Sequence, residues 1–261
     1  MTTLYEHPLS PYAQKCKIAL YEKGVAFELR TPDLFAGATP GDFEAANPRA
    51  EVPALVDGDV AVFDSTVILE YVEDRWPEPP LLPPAPAARA RARMVEDVCD
   101  THYDAVNWGM MEVIVFKRAE GELAATLMAR AAEQTAGLQT WLERQLGGRD
   151  WFGGEAFGWG DLSVAPYVNA SVFFGLAPKA GTALAAWHAR VNERESVAKT
   201  AAAAAEAATS GMGAIAQLVA SGAFQREYRD HRLEWMIRSG GLSIVEAGIA
   251  KGTIRFSREL H

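Results

Sequence analysis

A proline-rich stretch about one third of the way along the chain constrains the fold more than any other feature. Residues 77–86 hold six prolines in ten positions. Proline lacks a backbone N–H and fixes φ, so this stretch cannot form a helix or a central strand. It predicts a linker between two domains, residues 1–78 and residues 87–209, with a further helical segment at residues 210–261.

The residues before the linker alternate between strand and helix patterns. β-Branched and aromatic runs bounded by glycine and proline are typical of strands, and apolar positions three and four apart predict helices. Asp57-Gly58-Asp59 joins two short apolar runs and is typical of a hairpin turn. The predicted elements are strands at 2–7, 25–30, 52–56 and 60–63, and helices at 12–23, around Phe43 and from Asp64 onward.

The residues after the linker have helical patterns throughout. Ser210-Gly211-Met212-Gly213 predicts a break, because glycine is a poor helix former. The predicted helices are 87–117, 122–146, 160–174, 182–192 and 195–208 before this break, and 214–238 and 243–250 after it. The fold class is therefore α+β, with a mixed domain followed by an all-helical domain and a helical C-terminal extension.

Charge and motif content disfavour several classes of function. The net charge of −9 makes a nucleic-acid partner a poor hypothesis. No apolar stretch is long enough to predict a membrane span, and the first residues lack the pattern of a signal peptide, so we expect a cytoplasmic protein. Cys16 and Cys99 form no C-x-x-C and have no zinc-ligand spacing, so we expect no metal. Nucleotide-binding and serine-hydrolase motifs are also missing from the sequence.

Four short motifs suggest a binding site for an anionic thiol peptide. A helix N-terminus offers unpaired N–H groups and a partial positive charge, and a hydroxyl there can hydrogen-bond a thiolate. A second helix start with Asp and Ser can hold a carboxylate and an ammonium, and a strand residue before a cis-proline can pair with an extended peptide. The motifs are Ser10-Pro11-Tyr12, Glu51-Val52-Pro53, Asp64-Ser65, and Asp161 after Gly158-Trp159-Gly160. Glutathione carries every group that such a site would bind.

Three stretches of the chain resemble omega and tau glutathione transferases, namely residues 9–20, 47–55 and 64–71. With the spacing between them, the resemblance extends over about residues 2–208. It implies a thioredoxin-like domain of order βαβ-α-ββα in front of an all-helical domain, and it implies a homodimer.

The resemblance also assigns roles to single residues. It implies that Ser10 activates the glutathione thiol and that the backbone of Val52, before a cis Pro53, holds the cysteinyl part. Asp64 and Ser65 would hold the γ-glutamyl end.

The chain departs from the pattern of the transferases that it resembles at three positions. Omega members have Cys at the position of Ser10, and serine cannot form a mixed disulfide, which disfavours reductive thiol chemistry. Glu51 stands where relatives often have Lys or Gln facing the glycyl carboxylate, so glycyl recognition would need another cation, such as Arg49. Gly158 replaces a Ser or Thr helix cap, which leaves Asp161 as the remaining capping side chain.

We expect residues of the first helix and of the long helix after the linker to form the wall of the electrophile pocket. Aromatic and Met residues at such spacing are equally typical of a core, so both interpretations stay open. The candidates are Tyr12, Tyr103, Asn107, Trp108 and Met111. In the tail, one predicted helical face could pack on the body, pack on a partner subunit or roof the pocket. We prefer packing, on the body or on a partner, over a roof of the pocket. That face consists of Phe224, Tyr228, Trp235 and Met236.

The sequence therefore predicts a glutathione transferase whose Ser10 stabilises the thiolate for attack on a hydrophobic electrophile. The reaction would be conjugation, glutathione-dependent ether or halide cleavage, or peroxide reduction. One alternative is a non-catalytic glutathione-binding or structural protein of the same fold, for which Glu51 is the best support and in which Ser10 is a plain helix cap. Another is a thiol reductase with Cys16 as its nucleophile.

Overall fold

A four-stranded mixed sheet with flanking helices forms the first part of the chain. The computed structural model describes residues 1–32 and 41–256. The strand order is β2-β1-β3-β4, in which β1 is parallel to β2 and antiparallel to β3. This is the predicted thioredoxin-like arrangement. Its elements are β1 (Thr2–Tyr5), α1 (Pro11–Glu22), β2 (Phe27–Arg30), α2 (Asp42–Ala46), β3 (Ala54–Asp57), β4 (Val60–Phe63) and α3 (Ser65–Arg75).

The proline-rich linker is anchored rather than loose. The buried carboxylate of Glu73, near the end of α3, accepts hydrogen bonds from the backbone N–H groups of Leu81 and Leu82 at 2.9–3.1 Å. Both leucine side chains are buried. The next helix begins at Pro86, which suits a first-turn position where the missing N–H is not needed.

The described residues after the linker form helices and one small two-stranded ribbon, as a helical domain predicts. The single helix predicted at 87–117 is a continuous rod in which α4 and α5 are joined by a π-helical turn, Cys99–Tyr103. The helices are α4 (Pro86–Val98), α5 (Asp104–Ile114), α6 (Gly121–Leu146), α7 (Trp159–Phe173), α8 (Ala183–Glu193), α9 (Glu195–Ala220), α10 (Asp230–Arg238) and α11 (Leu242–Ala250), and the ribbon pairs β5 (Arg226–Glu227) with β6 (Ile254–Arg255). Within the described chain, no helix is both long and apolar enough to cross a membrane.

A buried lysine joins the two domains. Lys15 on α1 is fully buried, and its ammonium contacts the carboxylates of Glu96 and Asp100 from the rod of α4 and α5. The indole N–H of Trp159 donates to the other oxygen of Glu96. Because the ammonium contacts two carboxylates, burial of the lysine is tolerated, and α1 is held in a fixed position against the helical domain.

The structure at the start of α7 explains why glycine, rather than the Ser or Thr of the resembled pattern, stands at residue 158. A side chain at residue 158 would put its Cβ 2.5 Å from the carbonyl oxygen of Leu81, so only glycine fits. Asp161 replaces the missing cap by accepting hydrogen bonds from the backbone N–H groups of Gly158 and Phe152 at 3.0 Å and from the indole of Trp187 at 2.8 Å. The cap is therefore supplied from inside the helix.

Two predictions for the tail are wrong. The predicted break at 210–213 does not occur, because α9 continues to Ala220. The eight strong helix formers at residues 201–208 outweigh the cost of Gly211 and Gly213, about 1 kcal/mol each. The predicted helix at 214–238 is interrupted after α9 by a turn at Gly222, whose φ of +76° favours glycine. The expected division at residues 209 and 210 thus falls within a helix, and the domain boundaries stay predictions.

The tail packs on α5 and forms a second apolar core with it. The tail contributes Tyr228, Trp235, Met236 and Val245, of which Met236 is fully buried. Tyr228 meets the ring of Trp108 edge-on, with 4.5 Å between the ring centroids. We refer to residues 221–256 as the C-terminal extension. It is part of the folded body, which agrees with the preferred packing interpretation for Tyr228, Trp235 and Met236, whereas Phe224 lines a cavity.

Gly109 on α5 lets Trp235 approach the helix backbone, and Gly109→Ala is expected to destabilise the protein by about 2 kcal/mol. A methyl group at residue 109 would lie 2.1 Å from a ring carbon of Trp235. The indole cannot easily move away, since its N–H donates to Gln134 at 2.6 Å. Urea unfolding would measure the change. Gly137→Ala is the matched control, because residue 137 on α6 has open space around it and alanine there should stabilise by up to about 1 kcal/mol. Equal effects of the two substitutions would contradict the close approach.

Candidate functional site

A cavity of about 860 Å³ lies between the first domain, the rod of α4 and α5, and the C-terminal extension. Its wall brings together sequence-predicted residues from both domains, and it adds residues of the extension that no motif indicated. The predicted residues on the wall are Ser10, Tyr12, Glu51, Val52, Asn107, Trp108 and Met111. The added residues of the extension include Arg226, Glu227, Arg229, Arg232 and Arg255. The wall also contains His7 of the first domain and Phe224, which the sequence analysis considered as part of a pocket roof.

Ser10 is the N-cap of α1 and stands on the cavity wall. Its backbone is extended (φ −81°, ψ 113°), and its Oγ accepts a hydrogen bond from the N–H of Ala13 at 3.3 Å. Pro11 follows at the first helical position, where a missing N–H does no harm. The Oγ–H therefore remains a donor for an anion at the positive end of the helix. Burial lowers the pKa of nearby His7 below its usual value, so this imidazole is neutral at pH 7.

The loop before β3 presents backbone to the cavity at Val52. The Val52-Pro53 peptide bond is cis, as predicted. Asn47 fixes the loop, since its amide donates to the carbonyl of Glu51 at 2.6 Å and accepts from the N–H of Arg49 at 3.0 Å. Val52 lines the cavity, whereas Pro53 lies behind it at the start of β3.

The start of α3 has the geometry of a ligand clamp. Asp64 has a φ of +74°, which is strained for a residue with a side chain, and its carboxylate caps the N–H groups of Thr66 and Val67 at 3.1 and 3.4 Å. Such strain, on the order of 1–3 kcal/mol, concentrates at binding sites. Arg49 lies 4.0 Å from Asp64, so it sits at this end of the site rather than beside Glu51. Asp64, Ser65 and Arg49 are outside the cavity wall.

Tyr103 is the one pocket candidate that the structure removes from the wall. Its side chain is fully buried in the π-helical turn, and its hydroxyl is hydrogen-bonded to Ser171 on α7 at 2.9 Å. The extra residue in a π turn rotates the side chains that follow, which sequence periodicity alone does not reveal. Tyr12 lies on the wall, but its hydroxyl donates to the carbonyl of Asp100 at 2.7 Å.

Cys16 has the environment of a core thiol. It is fully buried on α1, and its thiol donates to the carbonyl of Ser65 at 3.5 Å. Burial raises the pKa of the Cys16 thiol far above its usual range. A nucleophilic cysteine needs an accessible thiolate, so the structure argues against a thiol reductase based on Cys16.

Glu51 contacts the C-terminal extension. Arg229 donates to its carboxylate at 3.0 Å, and the two residues are 178 positions apart. Burial and a hydrogen bond with Glu227 raise the pKa of Glu51 to about 7, so it is only partly ionised at neutral pH. The negative charge that the sequence places beside the peptide-binding loop is thereby largely offset. Sequence reasoning missed Arg229, because nothing in the local pattern of the tail indicates which loop it reaches.

Comparison with known proteins gives one family for both domains. The family model for the glutathione S-transferase N-terminal domain matches residues 4–80, and the model for the C-terminal domain matches residues 106–195. Glutathione S-transferase U28 of Arabidopsis thaliana is 30% identical over 205 residues, covering 73% of this chain and 84% of that protein. A stringent starvation protein A homolog of Coxiella burnetii is 44% identical over 93 residues, covering 36% of this chain and 44% of that protein. Rice GST1, solved in complex with glutathione, is 30% identical with a TM-score of 0.67, covering 83% of this chain and 97% of that one.

Proposed function

This chain belongs to the glutathione S-transferase family, and we propose that it is a glutathione transferase in which Ser10 stabilises the thiolate of bound glutathione. One observation carries the proposal, namely that Ser10, the N-cap of α1, and Val52, before the cis-proline, line the same cavity. That combination suits a thiol peptide lying extended along the loop before β3.

The two ends of glutathione would bind at different elements. The cysteinyl main chain would pair with Val52, which directs its sulfur towards Ser10. The γ-glutamyl group would lie at Asp64 and Ser65, where the N–H and hydroxyl of Ser65, which Asp64 does not cap, are donors for its carboxylate and Asp64 provides an acceptor for its ammonium. Arg49, 4.0 Å from Asp64, adds positive charge at the same end.

Energetic estimates support activation without a general base. A free thiol has a pKa of about 8.5, so only a few per cent is ionised at pH 7. A hydrogen bond to a charged group contributes about 1.5–3 kcal/mol, and the helix dipole adds up to about 1 kcal/mol. Together they would bring the thiol pKa close to 7. The thiolate sulfur would then form a bond to an electrophilic carbon at the apolar end of the cavity, where Trp108, Met111 and Phe174 lie.

The alternative of a binding or structural protein without turnover draws its support from Glu51. The pairing with Arg229 and the raised pKa of Glu51 reduce that support, because they offset the charge that would repel glutathione. We therefore favour turnover. The homodimer and the cytoplasmic location expected from the sequence stay predictions.

The test is the ultraviolet absorbance of the glutathione thiolate bound to the unmodified protein, recorded across pH. We expect a bound-thiol pKa of about 6–7, since Ser10 and the start of α1 favour the ionised form. S-Methylglutathione, which has no ionisable thiol, supplies the background. Binding with a thiol pKa near its free value would indicate a binding protein, and absence of binding would contradict the proposal.

A further inference from the structure

Arg226 occupies an unusual position on the cavity wall. It lies on β5, and its guanidinium stacks on Phe116 at 4.2 Å and on Trp108 at 5.3 Å from the ring centroids. Its side chain is only 13% exposed. A cation held this far from water by two aromatic rings needs nearby negative charge.

The negative charge around Arg226 is incomplete. Its Nε donates to Glu112 at 2.7 Å, but Glu112 also accepts from the hydroxyl of Tyr228 at 3.1 Å and contacts Arg118 at 3.2 Å. Among residues 1–32 and 41–256, the guanidinium groups of Arg118 and Arg226 share one carboxylate, that of Glu112. One carboxylate between two arginines leaves an excess of one positive charge beside the cavity.

Neighbouring acidic residues do not supply the missing charge. Asp104 is already engaged by Arg232 at 2.8 Å and by His231 at 3.0 Å. Glu227 is paired with Arg255 across the ribbon at 3.0 Å. In the β5–β6 register, Arg226 stands opposite Ile254 while Glu227 stands opposite Arg255, so the carboxylate of Glu227 is directed towards Arg255 rather than towards Arg226.

Two N–H donors of these cavity-lining residues also lack acceptors. Within the described part of the chain, Nη2 of Arg226 and Nε1 of Trp108 are buried without a hydrogen-bond partner. Buried unpaired donors are rare and costly, and both residues line the cavity. Excess positive charge and two open donors fit a planar oxyanion that accepts from both groups.

We propose that Arg226 and Trp108 form an anion subsite, and that the second substrate is an aromatic electrophile carrying a carboxylate. This inference rests on the proposed transferase function and narrows the expected hydrophobic electrophile to one substrate class. The carboxylate binds at Arg226, and the aromatic body lies against the apolar wall of Met111, Phe116 and Phe174. In displacement chemistry, the glutathione thiolate forms a C–S bond to the ring carbon while chloride leaves with the bonding electron pair.

The test uses two matched pairs of small molecules. The reactive pair is chlorodinitrobenzoate, with chlorine opposite the carboxylate and between the nitro groups, and the corresponding neutral benzamide. The unreactive pair is the same two compounds without chlorine, whose binding is measured by calorimetry in the presence of S-methylglutathione. We expect the carboxylate of each pair to be preferred about tenfold or more, in kcat/KM and in affinity, because hydrogen bonds to a charged group are lost in the amide.

Three variants locate the preference. Arg226→Gln should bring the acid and the amide to within about threefold of each other by raising KM for the acid, and Arg226→Lys should restore part of the preference as a point charge. Trp108→Phe removes the N–H donor and keeps a smaller aromatic ring beside Arg226, and it should reduce the preference about threefold to tenfold. Arg238→Gln is the control, since it removes an exposed guanidinium from the same extension and should leave the preference unchanged.

The outcomes separate the two proposals. Equal affinity of the unmodified protein for the unreactive acid and amide would overturn the anion subsite, even if chlorodinitrobenzene is conjugated to glutathione. A preference that survives in both Arg226→Gln and Trp108→Phe would also overturn it. Failure to bind glutathione or to conjugate any electrophile would count against the transferase function, while the binding of the unreactive pair would still decide the subsite.

Discussion

Replacing Ser10 with alanine is expected to lower kcat/KM for glutathione conjugation by about one to two orders of magnitude. The substitution removes the hydroxyl donor that lines the cavity at the start of α1 and leaves the helix N-terminus itself in place. The thiol pKa of bound glutathione should therefore rise by about one to two pH units, since about 1.4 kcal/mol corresponds to one unit. Thiolate absorbance across pH measures this directly, and the rate profile should move to higher pH in parallel.

The control must separate the lost donor from the lost helix cap, because Ser10 also accepts from Ala13. Thr182 caps α8 in the same way, accepting from the N–H of Ala185 at 3.2 Å, and it lies away from the cavity wall. Thr182→Ala should cost about 1 kcal/mol of stability and leave the thiol pKa unchanged. Ser10→Thr keeps the hydroxyl and should retain most of the activity. An unchanged thiol pKa in Ser10→Ala would show that Ser10 is only a helix cap.

The N-terminal domain could be predicted well because its signals are local. The turn at Gly58, the glycine that ends α1 and the capping carboxylate of Asp64 each act within a few residues of their own position. The linker was equally predictable, since six prolines exclude regular structure whatever surrounds them. Local chemistry of this kind is visible in sequence, and the structure brings Ser10 and Val52 to the wall of one cavity.

The C-terminal extension could not be predicted from the same signals, because its structure depends on distant partners. Glycines at 211 and 213 predict a break only if the helix around them is weak, and the alanine-rich start of α9 makes it strong. The pairing of Glu51 with Arg229 joins residues 178 positions apart. Sequence reasoning identified Glu51 as a difficulty for glutathione binding, and the structure supplies the neutralising charge from a segment without any motif.

Asp104 is a buried attachment between the extension and the body, and Asp104→Asn is expected to destabilise the protein by about 3–5 kcal/mol at about pH 7. The carboxylate is buried and accepts from Arg232 and His231 on α10. Removing its charge leaves the guanidinium of Arg232, 13% exposed, without a counter-ion. Urea unfolding measures the loss. Glu234→Gln is the control on the same helix, because its pair with Arg238 is solvent-exposed and contributes less than about 1 kcal/mol.

The pH dependence of that difference identifies its cause as the charge. Burial alone would raise the pKa of Asp104, but the charge of Arg232 and hydrogen bonds from His231 and Arg232 outweigh burial and hold the pKa at about 2. A depressed pKa stabilises the folded state above the unfolded value of 3.8, and this stabilisation is lost as the pH falls towards 2. The difference in unfolding free energy between the unmodified protein and Asp104→Asn should thus stay constant from about pH 7 to 5 and shrink by up to about 1.4 kcal/mol per pH unit below 4.

Because α10 follows directly after Arg229, the variant should also lose activity through displacement of the cavity wall. A small cost at pH 7 with full activity would mean that the apolar contacts of Trp235 and Met236 alone hold the extension in place.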